Sequence, residues 1–579
     1  MLRKFIESCR DSKYANWCIA IVFSITIFLQ CCLFHYIAFH SILISALWKD
    51  SISFLIFYMP KLSISVFIAS FIFLFKRKGW CIVASLLISV WIIAELVYFR
   101  ANRIFIDAQS FLLLEFMDGF WSSVPVYMYR IDLLLLLPTM VLCLAVYLFR
   151  NENKSRVAFF GMIAIALVLN VSIWGVSRAQ QRQNVNATSL SWRHHNPFSE
   201  SFVRMLGSSK NYVYNTSVLH AFVHDVHMLI VMPFESKNYK MTDDELINAY
   251  RFINNTSNRA EPQSNLVLIL VESLESWAIR PDVTPNLWAF MENHNVLWAK
   301  NVASQTKGGT SSDGQMILNT GLLPISKGAV CKTYPGNVFP SLSEIYGSSA
   351  LIQPGDMTVW NQKYMSDAYS IDTNYLSPRS LDHETFALFD EIKDDYSFVM
   401  VITMASHSPF VACAGYSSLA LPTDMPDRMA NYLRCLHYTD SCWGDFLSSV
   451  DRCLEMSNTT ICFQGDHIIF DSNLRTAFEQ YCVKNDLDYD VQNNNTAFVA
   501  FSPTLKESII IEEQTYQMDA FPTILHLIGC DHYYWKGFGI NLMDSTSLKN
   551  RNINEQEAFD LSDKMIRSNF FELVQRNIN

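Results

Sequence analysis

The sequence predicts two parts of different character. An N-terminal five-helix transmembrane domain precedes an extracytoplasmic α/β domain with a mainly parallel central sheet. Three observations carry this expectation. The first third of the chain holds five long apolar runs. Basic residues gather before the first run and in alternate turns between the runs, and so on one side. From residue 265 onward, short continuous apolar runs alternate with helical patterns.

The apolar runs lie near 16–40, 52–75, 79–98, 131–149 and 157–177. Each is close to the roughly 20 residues that cross a bilayer as a helix. The first is too long for a cleavable leader, and four more follow it. Arg3, Lys4, Arg10 and Lys13 precede the first run. Lys76, Arg77 and Lys78 follow the second, and Arg150, Lys154 and Arg156 follow the fourth. Alternate spanning puts all three groups on one side, which should be cytoplasmic. Arg100, Arg103 and Arg130 in the outer loop depart from the pattern. With the N-terminus inside, everything beyond about residue 178 is outside.

The expected divisions are a transmembrane domain at 1–178, a juxtamembrane linker with helices at 179–261, a catalytic domain at 262–545 and a C-terminal helical tail at 546–579. The linker is polar, apart from an apolar stretch at Ala221–Pro233 that is too short to span and suits the membrane surface. Thr242 with Glu245 forms a capping box that should open a helix. Net charge is −10 with no long basic run, which argues against nucleic acid as partner. Eight of the 14 cysteines fall in the outer part, where disulfides are permitted but their pairing is open.

Four runs read as strands covered on both faces: 266–272, 397–406, 459–465 and 496–502. Helical patterns at Thr284–Asn293, Asp427–Val450 and Ala520–Leu527 separate them. Ligands of such sheets collect at the carboxyl ends of the strands. There the first run ends in Glu272 and Ser273, the second runs into His407, and the third ends in Asp466 and His467. Two carboxylates and an imidazole suit a divalent cation of hard or borderline character. Glu275 competes with Glu272 for the ligand role. Between the first two runs lies GGTSSDG, 308–314, whose Thr310 would sit exposed where a helix begins. Helix N-termini favour phosphate. Each piece alone is commonplace; their order at strand ends gives them weight.

Taken together, Glu272–Ser273, TPNL (284–287), GGTSSDG, Trp360–Asn361, SHSPF (406–410), GDH (465–467) and D-x-x-P-T (519–523) resemble the lipoteichoic acid synthase family, a membrane branch of the sulfatase and alkaline phosphatase superfamily. The resemblance spans the five apolar runs and a sulfatase-like domain over roughly 262–545. It implies a nucleophile at Thr310, metal ligands Glu272, Thr310, Asp466 and His467, and a phosphate-contacting His407. It also implies substrate contacts at Trp360, Asn361 and the next residue. That residue is Gln362 where the family carries arginine, and Gln353 stands where a histidine is common. Neutral amides cannot grip phosphate as a guanidinium does.

The resemblance implies a bacterial, multi-pass inner-membrane enzyme with one divalent metal ion, Mn²⁺ foremost and Mg²⁺ or Zn²⁺ as alternatives. It would move a phosphoglycerol or phosphoethanolamine head group from a membrane phospholipid, through a phospho-threonine, to a glycan or lipid acceptor of the cell envelope. A phosphodiesterase with water as acceptor is the second reading. A catalytically inactive membrane sensor or scaffold is the third. A true sulfatase would need a C/S-x-P-x-R pattern, which the chain lacks.

Overall fold

The computed structural model describes residues 14–39, 51–102, 120–149, 154–183, 239–254 and 261–578, apart from short stretches within the last range, together with isolated residues at 105–106 and between 213 and 226. Its contacts divide the chain into an N-terminal unit, 1–231 without 112–119, and a C-terminal unit that includes 232–579.

In the N-terminal unit, helices stand at all five expected places: Ala15–Phe39, Ser51–Ser70, Trp80–Asn102, Arg130–Leu148 and Arg156–Gln183. Three stretches are long and apolar enough to cross a membrane: Ala15–Phe39, Trp80–Arg100 and Arg130–Leu148. The described apolar parts of the other two, Tyr58–Phe73 and Arg156–Val171, are shorter. Gln30 donates from Nε2 to Ser89 Oγ (2.8 Å), Ser85 Oγ (3.1 Å) and Thr139 Oγ1 (3.2 Å), which ties those three stretches together. Between helices that share no hydrophobic driving force in lipid, such polar contacts act as adhesive. Most of the predicted linker, and the end of the Ala221–Pro233 stretch, lie outside the described residues.

The C-terminal unit opens on the predicted helix, Asp243–Tyr250. Its Thr242 hydroxyl caps Glu245 N, and the Glu245 carboxylate caps Thr242 N in return. Beyond it, eight strands form one sheet: β1 Asn265–Val271, β2 Leu297–Ala303, β3 Ser349–Pro354, β4 Thr373–Ser377, β5 Phe398–Ile402, β6 Thr459–Gly465, β7 Asn495–Phe501 and β8 Ile509–Tyr516. Their order is β4-β3-β5-β1-β6-β7-β2-β8. All pairs are parallel except those of β7, which runs antiparallel to both β6 and β2. The four predicted apolar runs are β1, β5, β6 and β7. The first three stand side by side at the centre, buried along their length.

Each face of the sheet carries a core. One face packs helices Pro285–Asn293, Asp382–Ile392, Asp427–Arg452 and Ser472–Asn485. The other packs Ser311–Thr320, Ala520–Leu527 and the C-terminal helices Glu555–Arg567 and Phe570–Ile578. The tail is therefore part of the core. Phe571 is 1% exposed and meets Trp535 edge-on, with ring centroids 5.0 Å apart. Phe571→Ala should cost roughly 3–5 kcal/mol, as other buried Phe truncations do. Denaturant unfolding of the purified protein reads this directly. A change below about 1 kcal/mol, the level of ordinary surface substitutions, would show that the tail adds nothing to this core.

Candidate active site

β1 and β6 are paired in parallel with Val271 opposite Gly465, so Glu272 and Asp466 leave the sheet side by side. The two turns are laced together. Asp466 N donates to Val271 O at 3.0 Å, and Ser273 N donates to Asp466 Oδ1 at 2.7 Å. Ser273 Oγ donates to Glu272 Oε1 at 2.7 Å. From the end of β5, Thr403 Oγ1 accepts from Glu272 N (3.1 Å) and Ser406 Oγ donates to Glu272 O (2.6 Å).

The result is a buried trio. The ligand atoms of Glu272, Asp466 and His467 all lie within 4.8 Å of one another. His467 Nε2 is 3.6 Å from Glu272 Oε1 and 3.5 Å from Asp466 Oδ2. His467 Nδ1 pairs with Ile468 O at 2.9 Å, which makes Nδ1 the donor. In the neutral ring this leaves the Nε2 lone pair facing two carboxylates. Burial raises Asp466 to about 6, with help from the charge on Glu272. Burial would raise Glu272 as well, but the imidazoles of His407 and His467 hold it below its ordinary value. Burial would lower His467, yet Asp466 and Glu272 hold it above its ordinary value. Two carboxylate oxygens and an imidazole nitrogen, buried and converging, fit one divalent cation of hard or borderline type. Glu275 is not in the trio.

The glycine-flanked loop brings the Ser311 hydroxyl to this trio. Ser311 Oγ lies 3.4 Å from Glu272 Oε2 and 3.3 Å from His467 Nε2. Thr310, the residue that the sequence singles out, caps the helix Ser311–Thr320 through its backbone alone. Its carbonyl accepts from Asp313 N (3.0 Å) and Gly314 N (3.1 Å), while its side chain makes no cap hydrogen bond. Thr310 stands in a turn with φ 47° and ψ −116°, after which the helix begins. Asp313 sets that turn. Its Oδ2 accepts from Lys307 N (2.8 Å) and Gly309 N (3.0 Å). A Cβ on Gly309 would stand 2.1 Å from Asp313 Oδ1, and one on Gly314 would stand 2.8 Å from Asp466 O. Both glycines are therefore needed for the close approach of loop, helix and ligand turn.

Around the trio, His407 is exposed, with Nδ1 against Ser408 O at 2.6 Å. The turn that carries it is pinned by buried Asp382, which accepts from Met404 N (2.9 Å) and Ala405 N (3.2 Å). Trp360 and Asn361 both have positive φ, 51° and 54°. Asn361 Nδ2 donates to Cys331 O (2.9 Å), and Cys331 Sγ lies 3.5 Å from Ser312 Oγ, which links this turn to the glycine-flanked loop. Gln362 is fully buried. Its Nε2 donates to Ser366 Oγ at 3.0 Å, while its Oε1 has no hydrogen-bond partner among the described residues. The Gln353 side chain is in the same state, with Nε2 on Asp356 O (2.9 Å) and Oε1 unpartnered. Sequence reasoning brought the trio together and chose Thr310 within GGTSSDG; it gave no role to Asp313. The predicted helix start at Thr310 agrees with the structure, where Thr310 is the residue before the helix Ser311–Thr320.

A serine hydroxyl at a helix start, beside two carboxylates and an imidazole at the carboxyl edge of a mostly parallel sheet, defines a sulfatase-like α/β domain with a buried metal-type site. The Sulfatase family model matches residues 264–530, and the Lipoteichoic acid synthase N-terminal domain model matches residues 3–189. The chain belongs to the lipoteichoic acid synthase-like family within the sulfatase/alkaline phosphatase superfamily. Its relatives are distant. It is similar to Lipoteichoic acid synthase 2 of Bacillus subtilis (strain 168), 21% identical over 515 residues, which span 83% of this chain and 77% of that one. Lipoteichoic acid synthase 1 of the same organism is 23% identical over 348 residues, 53% of each chain. Among solved structures, the lipoteichoic acid synthase LtaP from Listeria monocytogenes is similar with 16% identity and a TM-score of 0.43, over 59% of this chain and 97% of that one.

Proposed function

We propose that this protein is a membrane-anchored phosphotransferase that takes a head-group phosphate, phosphoglycerol or phosphoethanolamine, from a phospholipid and passes it to a cell-envelope acceptor. The observation that supports this most is the Ser311 hydroxyl beside Glu272 and His467 at a helix N-terminus. Ser311 takes the place that the sequence alone gave to Thr310. Its Oγ gives up its proton and attacks phosphorus, the bond from phosphorus to the diacylglycerol oxygen breaks, and that oxygen takes up a proton, so diacylglycerol leaves as the alcohol. An acceptor hydroxyl then loses its proton and attacks the phospho-serine, the Ser311 Oγ–phosphorus bond breaks, and Ser311 regains a proton.

Glu272, Asp466, His467 and Ser311 would hold one divalent ion, Mn²⁺ first among Mn²⁺, Mg²⁺ and Zn²⁺. When bound, it would favour the alkoxide of Ser311 and neutralise charge on the phosphoryl oxygens. His407, which is exposed, would contact the donor phosphate. The five helices would set the protein in the bacterial inner membrane with the catalytic unit outside the cytoplasm, where donor lipid lies in the same bilayer.

Trp360, Asn361 and Gln362 would line the head-group side. A buried amide oxygen without a partner takes a hydrogen bond from a donor, such as a hydroxyl or an ammonium, more readily than it takes an anion. The test incubates the purified protein and Mn²⁺ with labelled phosphatidylglycerol or phosphatidylethanolamine and measures diacylglycerol. Diacylglycerol from one lipid, dependent on an added acceptor, is the expected result. Release at equal rates without any acceptor would favour the phosphodiesterase reading. In the same assay, Gln362→Met should shift the ratio of the two turnovers by about tenfold, the scale of one hydrogen bond. An equal loss on both lipids would remove Gln362 from head-group reading.

A further inference from the structure

Glu275 and Arg475 form a buried ion pair that takes no part in the trio. Glu275 is 0% exposed and Arg475 9%. Glu275 Oε1 accepts from Arg475 Nη2 and from Ile469 N (2.6 Å), and its Oε2 accepts from Trp277 Nε1 (2.5 Å). Arg475 donates from Nε and Nη2 to Ile469 O, both at 3.2 Å, and from Nη1 to Val491 O at 3.2 Å. Ile469 is thus held at both of its backbone polar groups, N–H by the carboxylate and C=O by the guanidinium.

The placement gives the pair its meaning. Glu275 lies three residues beyond Glu272, in the turn after β1. Ile469 lies two residues beyond His467, in the loop after β6. Arg475 belongs to the first turn of the helix Ser472–Asn485. The Glu275 backbone also bridges Thr496 at the start of β7. The pair therefore spans the two segments that carry the trio and fixes the distance between them. Stability is a weak account of such a pair. A buried ion pair returns little over an apolar replacement of similar volume, because desolvation offsets the attraction. Its hydrogen bonds go to the backbone of the ligand loop, as do those of outer-shell partners that orient metal ligands.

We infer that Glu275 and Arg475 are positioning residues that set the spacing of Glu272 against Asp466 and His467, and with it the affinity of the trio for a divalent ion. This rests on the reading that the trio binds such an ion. The experiment titrates Mn²⁺ into the purified full-length protein by calorimetry and measures the metal-free melting temperature in chelator. Glu275→Gln should weaken Mn²⁺ binding about 10–100-fold, the usual cost of losing an outer-shell partner. Arg475→Lys should fall between, since it keeps the charge but loses the fork. The double variant Glu275→Leu/Arg475→Met leaves no stranded charge and should fold, yet still bind Mn²⁺ weakly. Wild-type affinity in a folded single or double variant, with only the melting temperature changed, would overturn the inference. Failure of the wild-type protein itself to bind Mn²⁺, Mg²⁺ or Zn²⁺ would instead sink the underlying metal reading, and this inference with it.

Discussion

Ser311→Ala should abolish turnover, by at least about 10⁴-fold as for other lost nucleophiles, while Thr310→Ala should stay within about tenfold of the intact enzyme. The two residues differ in backbone role as well as in chemistry. Ser311 begins the helix and points its hydroxyl at the trio. Thr310 holds the turn before it, at a positive φ of 47° that a β-branched residue seldom adopts. Thr310→Gly should thus relieve strain and raise stability by about 1–3 kcal/mol, with activity retained. Ser311→Ala removes one oxygen from a site braced by Asp313 through Lys307 N and Gly309 N, so the loop keeps its shape. Brief exposure to donor lipid, followed by peptide mass spectrometry, should find the head-group phosphate on Ser311. Phosphate on Thr310, or an active Ser311→Ala beside an inactive Thr310→Ala, would return the nucleophile to Thr310.

The contrast between these neighbours shows what the sequence could and could not reveal. Apolar runs buried on both faces are legible, and β1, β5 and β6 read directly, with their chemical residues at their carboxyl ends. Direction is not legible, because a continuous apolar run looks alike either way. β7 joins the sheet antiparallel. β8 is an edge strand of mixed exposure, and β4 at the other edge is only half-buried, so neither carries the apolar signal. β2 is interrupted by Lys300 and Asn301, where its register shifts. The order of Glu272, Asp466 and His467 was enough to propose a metal site. The choice among Thr310, Ser311 and Ser312 depends on one backbone turn, which is set by the Asp313 carboxylate three residues beyond Thr310. The amphipathic C-terminal helices were legible as helices. That they fill one face of the core depends on long-range packing, such as Phe571 on Trp535.

Asp466→Asn should remove metal binding and turnover together while leaving the metal-free fold at least as stable as before. The backbone contacts of Asp466 survive the change, since Asn retains an Oδ1 that can accept from Ser273 N (2.7 Å) and His467 N (2.6 Å). What is lost is the negative charge opposite His467 Nε2. Burial and the charge on Glu272 raise the Asp466 carboxyl to about 6, above the ordinary 3.9 or so of an unfolded aspartate. The protonated form is thus favoured in the fold, and the stability it contributes is lost as pH rises from about 4 through about 6. At pH 7.5 the metal-free protein carries an unfavourable buried charge that Asn does not, so metal-free Asp466→Asn should melt no lower than the parent. A ligand at 100 times its dissociation constant adds about 2.7 kcal/mol to stability. Saturating Mn²⁺ should therefore raise the melting temperature of the parent and leave the variant unmoved. The same proton competes with the ion, so affinity in the parent should weaken as pH falls through about 6. A variant that still melts higher in Mn²⁺ and still turns over lipid would take Asp466 out of the site.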